Sequence, residues 1–181
     1  MYTVDGPDPA DGGLPETPVV ERADGTLVTA AHTVPHVRYA VSYVDIAGTP
    51  LARDAQIGLT LFRVNGPMVI LTRVRGVYPD TWGGRVVTYR RARCRGGSVA
   101  VRMGTDEHLF ESTQLVTARV RGRVVASVRI EPAEQPTLVV PLRPDRHAGC
   151  TVTFTAAKVR TPGAGDDRRL GAHYYSFDYR R

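Results

Sequence analysis

QLVTARVRGRVVASVRI, residues Gln114 to Ile130, decides the fold. Arg121-Gly122 turns QLVTARV into RVVASVRI, where Val124, Ala126, Val128 and Ile130 share a face at the period of two that marks a half-buried strand. The same pattern extends outward. RVVTYRRARC (Arg85 to Cys94) and SVAVRM (Ser98 to Met103) precede it, and TLVVPL (Thr137 to Leu142), CTVTFTAAKV (Cys150 to Val159) and LGAHYYSFDY (Leu170 to Tyr179) follow. In the first half, TLVTA (Thr26 to Ala30) is a short strand. HVRYAVSYVDI (His36 to Ile46) sets Val37, Tyr39, Val41 and Tyr43 on one face and Arg38, Ala40 and Ser42 on the other. AGTPLARDAQ breaks the pattern, after which IGLTLFRV (Ile57 to Val64) and MVILTRV (Met68 to Val74), joined by Asn65-Gly66-Pro67, read as a hairpin. About ten or eleven short strands result, and their natural packing is an all-β, antiparallel two-sheet β-sandwich.

Composition agrees. The 181 residues include 25 Val, 18 Thr and 8 Tyr against 11 Leu, 6 Glu and a single Lys, a balance that excludes a helical bundle or coiled coil. The length suits one core. MYTVDGPDPADGGLPETPVVERADG is rich in Pro, Gly and acids, so residues 1–24 read as a linker or lead-in and residues 25–181 as the β-sandwich domain. No run approaches the roughly 18 consecutive apolar residues of a membrane span.

The net charge of +6 comes from 23 Arg and one Lys against 18 acids. The densest basic stretch is Arg90, Arg91, Arg93 and Arg95, and on a strand the last three would form one row. Aromatic residues do not interleave with it as a stacking platform for bases requires. With the other arginines spread over alternating strand positions, a solvated sheet is expected and no nucleic-acid partner.

The specific catalytic signatures are missing: no GxxxxGK, GxGxxG, HExxH or GxSxG occurs. Most of the five serines lie inside alternating strands, so an enzyme is not expected. Two acidic clusters, Asp106-Glu107-His108 and Asp166-Asp167, are of a kind that binds calcium in loops, but neither has diagnostic spacing, and Asp166 and Asp167 read as partners of Arg168 and Arg169 in a surface turn. No cofactor or metal site is therefore expected. Cys94 and Cys150 either pair, closing a loop of about 57 residues worth roughly 4 kcal/mol of chain entropy, or remain separate thiols; spacing alone leaves both open.

The segment GVYPDTWGG (Gly76 to Gly84), a loop by its Pro and paired Gly, holds the only Trp. Aromatic rings stack on the apolar faces of sugars while carboxylates and arginines take the hydroxyls. Tyr78, Asp80, Trp82 and Arg85 are accordingly the candidate carbohydrate-binding residues, Tyr78 and Trp82 as stacking rings. The alternative for Trp82 is a cap folded over one end of the core. On the final strand, His173, Tyr175, Phe177 and Tyr179 alternate with Tyr174, Ser176 and Asp178, and one of these faces is expected in the core.

The succession YTVDGP, VERADGTL, LFRVNGP, GVYPDTWGG, TYRRARCRGG, VPLRP, GC with TVTF, and DDRRLGAHYYSFDY resembles the C-terminal soluble domain of actinobacterial multi-span membrane glycosyltransferases. The resemblance implies a jelly-roll, galactose-binding-like sandwich outside the cytoplasmic membrane, tethered to it in a longer parent protein whose membrane part performs catalysis. It further implies a cell-envelope carbohydrate and the membrane domain of the parent as partners, and a compartment where a Cys94–Cys150 disulfide can persist. A structural or protein-interaction sandwich without a sugar ligand is the alternative.

Overall fold

Strand-forming side chains at alternate positions build β-sheets throughout, and no helix occurs among the described residues. The computed structural model describes residues 19–21, 27–29, 38–42, 45–54, 59–66, 68–163 and 165–181. Its strands are β1 (Val19–Glu21), β2 (Leu27–Thr29), β3 (Tyr39–Ser42), β4 (Thr49–Arg53), β5 (Thr60–Arg63), β6 (Thr72–Val77), β7 (Trp82–Arg91), β8 (Ser98–Gly104), β9 (Gln114–Val120), β10 (Arg123–Ile130), β11 (Thr137–Pro141), β12 (Cys150–Ala156) and β13 (Ala172–Arg180).

The chain divides into two compact units, Met1–Thr72 and Arg73–Arg181, where the sequence suggested a single domain over 25–181. In the first unit β1 pairs with β2, and β3, β5 and β4 form a three-stranded sheet in that order. Val19–Glu21 is thus a strand inside the expected lead-in; residues 1–18 and 22–24 of that lead-in lie outside the described residues. The three-stranded sheet corrects two expectations. TPLAR, which breaks the alternating pattern, is nonetheless strand β4: it is an edge strand, where Pro50 removes no obligatory ladder bond, and the register shifts between Pro50 and Ala52. The expected hairpin of Ile57–Val64 with Met68–Val74 does not form, since β5 pairs with β3 and β4 while β6 pairs with β7. In β3 the larger side chains, Tyr39 and Val41, face solvent, and Ala40 packs with Ile46, Phe62, Val64 and Ile70.

The second unit is an eight-stranded antiparallel sheet in the order β10-β9-β12-β7-β13-β8-β11, with β6 also on β7. The sheet folds on itself. β7 pairs with β12 over Val86–Arg91 but meets β13 only at Trp82 and Gly83, so β10-β9-β12-β7 and β13-β8-β11 become two facing layers. Rings of unpaired strands touch across the gap: Phe154 of β12 packs edge-on against Tyr174 and Phe177 of β13, with centroids 5.9 and 6.0 Å apart. This is a β-sandwich, and from β7 onward the chain changes layer at every connection except the β9–β10 hairpin. Its core is the set of inward residues at alternate positions, including Val87 and Tyr89 of β7, Val99, Val101 and Met103 of β8, Val116, Ala118 and Val120 of β9, and Val152 and Phe154 of β12. In β10, Ala126, Val128 and Ile130 lie opposite the core residues Ala118, Val116 and Gln114. Val124, expected on the same face, is 58% exposed because a bulge between Val124 and Ala126 reverses the parity.

Cys94 and Cys150 are disulfide-bonded, with Cα atoms 5.6 Å apart, which resolves the alternative the spacing left open. β7 ends at Arg91 and Arg93 adopts a left-handed turn conformation (φ 50°), so Arg91, Arg93 and Arg95 do not form a row; Arg91 lies over the Tyr179 ring.

Candidate functional site

β7 runs the length of the sandwich and so defines two ends. At its start the chain turns from β6 through Tyr78–Thr81, closed by Thr81 N–H donating to the Tyr78 carbonyl (3.0 Å) and Tyr78 N–H donating to the Trp82 carbonyl (2.7 Å). Thr81 sits in the left-handed region (φ 69°), uncommon for a β-branched residue and tolerated where surrounding bonds over-determine it. Those bonds are present: the Thr81 hydroxyl and Nδ1 of His173 hydrogen-bond at 2.8 Å, and the Thr81 carbonyl accepts from Tyr174 N–H at 2.9 Å. The paired glycines that suggested a loop belong to the strand. A Cβ on Gly83 would fall 2.5 Å from the Tyr174 ring and 2.7 Å from Val87, so the position excludes a side chain to let that ring into the core.

Trp82 is 8% exposed and packs with Phe110 and Leu170, its ring 3.7 Å from that of His173. Of its two sequence readings, the geometry gives the cap over the core; as a platform for a ligand it has almost no free face. The exposed aromatic of the turn is Tyr78, at 37%. Arg168 reaches it from the loop before β13, with its guanidinium over the ring 4.8 Å from the centroid. The same guanidinium grips Asp166 bidentately, Nε to Oδ1 at 2.9 Å and Nη2 to Oδ2 at 2.7 Å, and donates from Nη2 to Asp80 at 2.8 Å. Asp166 is therefore engaged as a surface-turn partner of Arg168. Hydrogen bonding to Arg168 holds the carboxyls of Asp80 and Asp166 below the usual carboxylate range and keeps the guanidinium charged. Solvent screens exposed pairs of this kind, so their effect is to fix three charged groups beside one ring. Arg85 is exposed on β7, and no contact links it to this cluster among the described residues.

Two further residues complete the surface. His173 and Tyr175 stack at 5.3 Å and 11°, and Arg102 lies over the Tyr175 ring at 5.5 Å. His173 and Tyr175 share the outer face by ordinary alternation, and the bulge between Tyr174 and Ser176 turns Phe177 off that face, so that Tyr174 and Phe177, three residues apart, stack at 5.8 Å on the core side. Neither of the two alternating faces expected for this strand is continuous. Burial holds the His173 imidazole below its ordinary value, against the opposing pull of Asp106 and Asp80. Asp106 itself accepts the amide of His108 at 2.8 Å, and no group of three or more His, Cys, Asp or Glu side chains converges among the described residues.

The loop carrying Asp166 and Arg168 is anchored from below. Gln114 is fully buried, donates to the carbonyls of Lys158 (2.8 Å) and Gly171 (2.7 Å) and accepts from Lys158 N–H (3.1 Å). The loop ends are further tied by paired backbone bonds between Arg160 and Leu170 at 2.8 Å. Gln114 was missed by sequence reasoning. The signal available was a polar residue at an inward position of QLVTARV, where a buried amide must find partners.

What the cluster offers chemically is an exposed ring, a fixed arginine, two carboxylates and a second aromatic stack. Comparison of the chain with protein families, with curated proteins and with solved structures finds no match.

Proposed function

We propose that the sandwich is a non-catalytic carbohydrate-binding module that takes its ligand at the β6–β7 turn. Tyr78 packs against a sugar ring, and Asp80, Asp166 and Arg168 exchange hydrogen bonds with its hydroxyls; His173 and Tyr175 extend the surface. One observation carries the reading: the exposed ring of the turn, Tyr78, has a guanidinium and two carboxylates pinned around it. Trp82 supports the turn from inside. The setting implied by the resemblance to membrane glycosyltransferases, an extracytoplasmic domain tethered beside a membrane-embedded catalytic part and handling cell-envelope glycan, is proposed with it. The Cys94–Cys150 disulfide supports an oxidising compartment.

Isothermal titration with arabinan, mannan and galactan fragments tests the site. Binding by the native chain and its loss in Tyr78→Ala and Arg168→Ala are expected; no binding to any glycan, or affinity unchanged by both substitutions, refutes it. A second reading, a protein-interaction module, is favoured by Tyr39, Val41 and Leu51, which stand 57%, 63% and 47% exposed on the three-stranded sheet. A dimer in solution that Val41→Asp dissociates would select it.

A further inference from the structure

The other end of the sandwich carries a different chemistry. There Cys150 lies opposite Arg91, the last residue of β7, and the β9–β10 turn and the β11–β12 loop come together. Between them opens a cleft of about 430 Å³ lined by Val120, Val124 and Val125 and by Arg121, Arg123 and Arg143. No carboxylate pairs with any of the three arginines among the described residues. The only acid of the β11–β12 loop, Asp145, is turned into its own backbone, accepting the amides of His147 (2.8 Å) and Gly149 (2.9 Å). Three cations thus line one concavity with no carboxylate paired to them among the described residues.

The turn that presents them is built against local preference. Arg121 and Gly122 both have positive φ, 52° and 78°, the geometry of a two-residue hairpin turn whose first position favours Asn, Asp or Gly. Arginine stands there instead, and its guanidinium donates to the Pro144 carbonyl of the facing loop, which fixes the cation at the mouth of the cleft. A planar guanidinium offers paired donors that match phosphate oxygens, and several of them around one site favour a dianion over a monoanion. The volume exceeds that of a bare ion and falls in the range of small-molecule pockets, while the valines provide an apolar floor for the body that carries the charge.

We propose that this cleft binds a phosphoryl group borne on a small organic body such as a sugar, with Arg121, Arg123 and Arg143 as its ligands. The site is independent of the carbohydrate surface at the opposite end and stands or falls separately from it.

Titration of the full chain with inorganic phosphate, glucose 6-phosphate and glucose, followed by NMR of the arginine side chains, tests it. Phosphate and glucose 6-phosphate are expected to shift the same three arginines, with glucose 6-phosphate binding more tightly and glucose leaving them unmoved. Arg143→Gln and Arg121→Asn should each weaken glucose 6-phosphate roughly tenfold or more, the loss of one charge-assisted contact. Arg121→Asn places in the turn a residue better suited to its backbone, so the folded state is retained. Arg160→Gln, an exposed arginine at the far end, should leave affinity unchanged. No shift with either phosphate, an equal loss in Arg160→Gln, or tighter binding to duplex DNA than to glucose 6-phosphate with the losses spread over all three variants would overturn the proposal.

Discussion

Trp82→Ala separates a structural tryptophan from a ligand-binding one. The side chain is 8% exposed, lies 6.2 Å from Phe110 and 3.7 Å from His173 between ring centroids, and shares its cluster with Leu170. Removing it deletes most of a buried indole and leaves a cavity at the end of the sandwich. Large-to-small changes of this kind cost about 3–5 kcal/mol. At about 4 °C per kcal/mol for a unit of this size, the midpoint of thermal unfolding by circular dichroism should fall by roughly 12–20 °C. Tyr78→Ala, at a 37% exposed position, should stay within about 2 °C of the native chain. Because Trp82 is the only tryptophan, its emission in the native chain should also be blue-shifted and protected from iodide. A Trp82→Ala midpoint within about 2 °C of the native one, together with abolished glycan binding, would show that the indole faces the ligand and not the core.

Three further outcomes follow from the geometry. Burial lowers the His173 pKa, so below 6.5 the unfolded chain binds more protons than the folded one, and stability should fall as pH drops through that window. Midpoints measured from pH 7.5 to 4.5 should show this loss, flattened in His173→Gln, and a midpoint that rises on acidification would contradict the assignment. Reduction of Cys94–Cys150 should destabilise the chain by about 4 kcal/mol, and a midpoint indifferent to dithiothreitol would mean that the bridge is absent in solution. Gln114→Ala leaves the buried Gly171 carbonyl without its donor, at about 1–3 kcal/mol, frees the half-buried Lys158 carbonyl, and should lower the midpoint while speeding hydrogen exchange of the Arg160–Leu170 loop; unchanged exchange there would show that the loop does not depend on Gln114.

The strands from β7 to β13 were legible because each places small or branched apolar residues at alternate positions against one core, as CTVTFTA does with Val152 and Phe154 inward and Thr151, Thr153 and Thr155 outward. Legibility failed where tertiary contacts override the period. TPLAR is a strand without alternation because both its faces are exposed at a sheet edge, and the pairing of β5 with β3 and β4 depends on contacts that no local turn signal reports. At the candidate site Tyr78 and Asp80 were found from their residue types, but Arg168 and Asp166 arrive from a loop 86 to 90 residues away in sequence, and only the fold brings them to the turn. Arg85 was placed there by nearness in the chain alone. On β7 it is exposed and makes no contact with the cluster among the described residues.

The breaks in regularity are informative in themselves. A sandwich at low energy would keep β13 in strict alternation and give its hairpins Asn-Gly turns. This chain departs from both. The bulge at Tyr175 turns Phe177 and Tyr179 to the core side, away from the His173–Tyr175 stack, at the expense of one ladder pair; Thr81 holds a left-handed backbone beside His173, and Arg121 holds another beside Arg123 and Arg143. Arg93 and Ala148 share that conformation next to the disulfide, where Cys94 N–H donates to the Ala148 carbonyl at 2.6 Å, so a strained backbone alone does not mark a site. What distinguishes Thr81 and Arg121 is that the strained residue carries a polar group held at the surface by a partner on another loop or strand, His173 in one case and Pro144 in the other. Replacing either residue by one that fits its backbone better should therefore raise stability and lower binding at its own end of the sandwich only, a separation that a purely structural origin of the strain would not produce.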